Sequence, residues 1–89
     1  MALLMMVDVP GMTQDQYEGL VFPVTDDVRQ APGFVLHVGY PTGGGWAVAE
    51  VWESRETFDK WYEERVRPNL GPGANPDLQF RELHNVITR

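Results

Sequence analysis

His37 and Glu50 are the residues of this sequence best suited to chemistry. An imidazole titrates near neutrality and takes a proton from an acidic carbon or hydroxyl when a carboxylate fixes its tautomer. His37 is one of only 2 histidines, so a second reading stands beside catalysis: a structural imidazole hydrogen-bonded inside an interface. Glu50 also has two readings, because a buried carboxylate requires a partner, and both His37 and Arg81 are candidates. Trp46 and Trp52 offer flat surfaces for an aromatic ligand or fill a core, and Tyr17 is a core ring or a phenol at a cavity entrance. His84 with Asn85 is a second polar pair, expected to be structural.

Other chemistries are poorly supplied. The chain has no cysteine and no histidine pair at helical spacing, so no metal site is expected. Ser54 is the only serine; it stands where a helix cap belongs and outside any nucleophile elbow. Pro41-Thr42-Gly43-Gly44-Gly45 has no following Lys-Ser or Lys-Thr and precedes a strand, so it reads as a hairpin loop rather than a phosphate cradle.

The elements that must hold these residues follow from local signals. Ala2 to Val9 is a short apolar run ending at Pro10-Gly11, which predicts a first strand. Thr13 precedes Gln16 by the spacing of a capping box, so a helix starts there, with Tyr17, Leu20 and Val21 on one stripe. Pro23 predicts a kink or restart near Phe22, and Ala31-Pro32-Gly33 ends the helical stretch. Phe34 to Tyr40 and Trp46 to Glu53 read as strands. Ser54 caps a helix whose buried face is Phe58, Trp61, Tyr62 and Val66, with Glu56–Lys60 and Glu63–Arg67 pairs outside. Pro68 ends it, Asn69 to Pro76 forms a loop that acts as a rim or lid, and Leu78 to Thr88 supplies the last strand. The order βαββαβ predicts an α+β, ferredoxin-like antiparallel sheet with helices on one face, spanning residues 1–89 as a single domain.

The hairpin register then decides which side chains meet. With Pro41 opposite Trp46 across a four-residue turn, His37 falls opposite Glu50, Val35 opposite Trp52 and Gly39 opposite Val48, whereas a five-residue turn changes the pairing and separates His37 from Glu50. Phe34, Leu36, Val38, Tyr40, Ala47, Ala49 and Val51 share the other, more apolar face, which we assign to helix packing. Val35, His37, Trp46, Val48, Glu50 and Trp52 are thereby left to face a cavity. An 89-residue chain has no third layer to cover the remaining side of its sheet, so a homodimer is expected, and a roomy pocket inside one subunit is not. A net charge of -6, with 7 basic against 13 acidic residues, argues against a nucleic-acid partner. The apolar opening is too short for a membrane span or signal peptide, so no membrane partner and a cytoplasmic location are expected.

Glu50-Val51-Trp52-Glu53-Ser54-Arg55-Glu56-Thr57-Phe58, with Pro32-Gly33-Phe34 and the element order, resembles the antibiotic-biosynthesis monooxygenase family of dimeric α+β barrel proteins. The resemblance implies a homodimer that oxidises small aromatic or polyketide-like molecules, such as anthrones, with molecular oxygen and no cofactor. Substrate deprotonation starts that reaction, which fits His37 as base and Glu50 as its partner, with Trp46, Trp52, Tyr17 and Val35 binding substrate. The chain departs from the pattern at Trp61 and Tyr62, where many relatives carry a histidine, and at Asp8, where several carry an asparagine. Related barrels include polyketide-type cyclases using histidine and tyrosine, and a noncatalytic ligand-binding or assembly protein is a third reading.

Overall fold

The computed structural model describes residues 2–71 and 76–89. Strand β1 (Leu3–Pro10) is followed by helix α1 (Gln14–Val21), a 3-10 turn (Phe22–Val24) and α2 (Thr25–Arg29). Strands β2 (Phe34–Thr42) and β3 (Gly45–Trp52) form a hairpin, α3 (Arg55–Trp61) runs through a π turn (Tyr62–Val66) into a 3-10 turn (Arg67–Asn69), and β4 (Gln79–Glu82) closes the order. The sheet runs β2-β3-β1-β4 with every neighbouring pair antiparallel, the ferredoxin-like arrangement.

Local chemistry accounts for the element ends. The Thr13 hydroxyl accepts from the Gln16 amide at 3.2 Å while the Gln16 side chain accepts from the Thr13 amide at 2.9 Å, a complete capping box. Pro23 has no amide hydrogen to continue α1, and the chain tightens to the 3-10 turn before restarting at Thr25. Ser54 Oγ accepts from the Thr57 amide at 3.2 Å to cap α3. Arg67 pairs with Glu63 at 2.8 Å. The expected Glu56–Lys60 pair is not among the ion pairs of the described residues, where Arg55 takes Asp59 at 2.9 Å. Pro68 lies inside the last 3-10 turn rather than at a helix stop. Of the expected rim loop, residues 72–75 lie outside the described residues, and Leu70, Gly71 and Pro76 carry no regular structure.

The hairpin register is as expected at His37↔Glu50, Gly39↔Val48 and Pro41↔Trp46, but a bulge at Val35 shifts Phe34 opposite Trp52. The final strand is shorter than Leu78 to Thr88: after Glu82 one more bond joins the Leu83 amide to the Ala2 carbonyl at 2.8 Å, and the chain leaves the sheet. His84 and Asn85 are exposed beyond it.

The core corrects the face assignment. Leu3, Met5 and Trp52 pack with Phe58, Trp61 and Tyr62, so the helices cover the face that carries His37, Glu50 and Trp52. The other face, with Leu4, Met6, Leu36, Val38, Tyr40, Ala47, Ala49 and Val51, has no helix against it among the described residues, and Val38 and Tyr40 are 46% and 51% exposed. Both faces are apolar enough to be buried, so alternation could not choose between them. The choice is made by aromatic packing: the Trp52 ring meets Phe58 at 5.9 Å and Phe34 at 5.4 Å, both edge to face. Among the described residues no helix is long and apolar enough to cross a membrane.

Candidate functional site

The helix-covered face of the sheet opens into a cavity of about 1050 Å³ within one subunit, larger than the chain length led us to expect. Its size follows from how the first helical layer sits. Neither α1 nor α2 has a fully buried residue: the segment meets the sheet through Tyr17 and reaches the core through Val24 and Val28, while α3 and the π turn pack down with Phe58, Trp61 and Tyr62. Met5, Val7, Val48, Leu20, Val24 and Leu70 give the cavity apolar walls, and Tyr17, His37 and Glu50 form a polar group in the wall.

Those three residues and Trp52 form one hydrogen-bonded chain. Trp52 Nε1–H donates to Glu50 Oε1 at 2.9 Å, and Glu50 Oε2 lies 2.7 Å from His37 Nδ1. His37 Nε2 lies 2.6 Å from Tyr17 Oη. As a carboxylate, Glu50 only accepts, so Nδ1 carries the proton, Nε2 offers its lone pair, and the Tyr17 hydroxyl donates to it. Glu50 is 8% exposed and would be costly to bury without these two donors. Arg81 is not its partner: it sits opposite Leu4 on β4, and its guanidinium donates to the Phe80 carbonyl at 2.8 Å.

Tyr17 reaches this chain from the middle of α1. Its ring stacks on Trp46 at 5.2 Å and 26° and lies over Gly39, where a Cβ would collide with the phenol oxygen. Burial raises the Tyr17 pKa above its ordinary value of 10.0, and the Glu50 carboxylate raises it further, so the phenol is held protonated. Trp46 Nε1 is buried without a partner among the described residues.

The expected site residues therefore divide. His37, Glu50 and Tyr17 come together at the cavity wall. Trp52 is 0% exposed and outside the cavity lining, so it holds Glu50 instead of touching a ligand. Trp46 is likewise outside the lining and backs Tyr17. Val35 is displaced by the bulge and does not reach the cavity, which corrects its place among the substrate contacts. The direct Tyr17–His37 bond was not anticipated. Its one sequence signal is Gly39, a glycine in mid-strand that leaves room for a ring.

No family model and no curated protein matches the chain. Solved structures do. A heme-degrading protein from Mycobacterium tuberculosis aligns at TM-score 0.66 and 22% identity over 99% of this chain and 100% of that one. SnoaB, a cofactor-independent oxygenase from Streptomyces nogalater, aligns at 0.60 and 13% over 99% and 96%. A monooxygenase from Streptomyces coelicolor, solved in complex with nanaomycin D, aligns at 0.56 and 20% over 99% and 90%. The chain has the antibiotic-biosynthesis monooxygenase-like fold; at these identities the likeness extends to the fold alone.

Proposed function

We propose that this chain is a cytoplasmic homodimer that oxidises a small aromatic or polyketide-like molecule with molecular oxygen and without a cofactor. The observation that carries the reading is the Glu50–His37 pair, joined at 2.7 Å and set in the wall of an apolar cavity. Such a wall favours a flat hydrophobic ligand, and the pair supplies a site for its proton. In this mechanism the substrate loses a proton to the site and becomes an electron-rich anion, which reacts directly with oxygen. For a methylene oxidised to a carbonyl, one oxygen atom enters the substrate and the other leaves as water. Glu50, held by Trp52, stabilises the imidazolium that forms.

Fold relatives include a heme-degrading protein, and the residues here do not fit an iron-bound haem. His37 has both ring nitrogens engaged, His84 is exposed past β4, and α3 with its π turn carries no histidine. The second subunit is proposed on the uncovered sheet face, where Val38 and Tyr40 supply exposed apolar surface for a matching copy.

The test is turnover of a hydroxyanthrone, followed by oxygen uptake and quinone absorbance. Uptake that requires both oxygen and His37, and that falls in His37→Ala while anthrone binding persists, supports the oxygenase. Anthrone turnover that continues without oxygen sinks it and favours a cyclase. Binding without turnover in either gas favours a noncatalytic ligand carrier.

A further inference from the structure

We infer that Tyr17, and not His37, is the group that exchanges a proton with the ligand, with His37 and Glu50 forming a relay behind it. The ligand class follows: a molecule that presents an acidic hydroxyl, an enol or a phenol, to the Tyr17 oxygen. This deepens the proposed base chemistry and rests on it.

Access decides the point. His37 has no free nitrogen: Nδ1 is 2.7 Å from Glu50 and Nε2 is 2.6 Å from Tyr17 Oη. A ligand proton reaches Nε2 directly only if the phenol is first pulled away, and that would also break the stack on Trp46 at 5.2 Å. The Tyr17 oxygen uses its hydrogen toward His37 and keeps a lone pair, and Tyr17 lines the cavity. Gly39 is the device that lets the ring lie there, since a Cβ at that position would occupy the place of the phenol oxygen.

The transfer balances without a co-reactant. The ligand O–H bond breaks and its proton bonds to Tyr17 Oη; the original Tyr17 O–H bond breaks and that proton bonds to His37 Nε2. Tyr17 ends neutral, the ligand ends as the anion, and the positive charge rests on His37 against Glu50. The phenol then donates its new hydrogen to the ligand anion and holds it in place. No free tyrosinate forms, in keeping with burial and Glu50 both disfavouring that charge.

The experiment mixes the full chain with a hydroxyanthrone under argon, where the anion accumulates without oxidation and is followed by its visible absorbance in a stopped-flow instrument. Binding is read separately by tryptophan fluorescence. Tyr17→Phe is expected to slow anion formation by about 100-fold, the lower end of what a positioned acid–base group contributes, with binding retained. Gly39→Ala keeps the hydroxyl but displaces it, and is expected to slow the same step, with circular dichroism showing that both variants fold. In mixtures of light and heavy water the wild-type rate should fall along a bowed line, as two protons move in one step. A wild-type rate that survives Tyr17→Phe but is abolished in His37→Gln overturns the relay and leaves His37 as a direct base. Absence of any anion in the wild type overturns the base chemistry itself, and the relay with it.

Discussion

Trp52→Phe isolates the bond that anchors the site. The indole is fully buried and donates to Glu50 Oε1 at 2.9 Å, so its loss has two separable costs. Replacing indole by phenyl leaves a cavity of roughly 40 Å³, which at ~24 cal/mol per Å³ costs about 1 kcal/mol. Leaving a buried carboxylate oxygen without its donor costs about 1–3 kcal/mol more. The sum of about 2–4 kcal/mol should lower the melting temperature by roughly 8–32 °C for a chain of this size. Urea denaturation of the single variants and the double variant with Glu50→Met, which removes the acceptor at similar side-chain length, separates the two costs. In the Glu50→Met background the buried indole N–H has lost its acceptor, so Trp52→Phe should cost no more than the packing part of about 1 kcal/mol and less where removing the orphaned donor offsets it. If Trp52→Phe costs the same in both backgrounds, within about 0.5 kcal/mol, the indole does not hold Glu50 and the account of the site's anchoring is wrong.

Three further outcomes are expected. The folded state holds Tyr17 above its ordinary pKa of 10.0, so between that value and the folded one it binds more protons than the unfolded chain, and stability falls as pH rises through that window. Urea melts of Tyr17→Phe should lack this alkaline loss; parallel curves for the two proteins would contradict it. Gly33→Ala should destabilise by about 2–4 kcal/mol, because φ is 84° and a Cβ would strike the Thr57 side chain; a thermal melt within about 1 °C of wild type would exclude that strain. On the proposed homodimer, the wild type should sediment as a dimer and Val38→Glu on the uncovered sheet face as a monomer in analytical ultracentrifugation; a monomeric wild type, or a dimer profile unchanged by the substitution, would refute association through this face.

Much of the fold was legible because its signals are local. Thr13 with Gln16, Pro23 and Ser54 each act on the few residues beside them, and the helix starts and the break fell where they stand. The His37↔Glu50 pairing was legible only for one turn length: a four-residue turn brings the two together, a five-residue turn separates them, and the structure takes the register that pairs them. Val35 shows the limit: one bulged residue near the far end of β2 moved Phe34 to the helix face and took Val35 away from the site. The early end of β4 was equally hidden, because Val86, Ile87 and Thr88 are β-branched residues that suit a strand, whereas the chain leaves the sheet after the Leu83–Ala2 bond.

The amino-acid sequence by itself determined the order of elements and the absence of thiol chemistry, and it offered the His37↔Glu50 pairing as one of two hairpin registers, between which the structure chose. Only the tertiary structure decided which sheet face the helices cover, that Trp52 is sealed away as the anchor of Glu50, and that Tyr17 closes over His37. Alternation assigns residues to two faces but carries no information on which face is covered when both are apolar. That choice rests on ring packing between Trp52, Phe34 and Phe58, and on a glycine across the sheet from a helix, contacts between residues far apart in the chain.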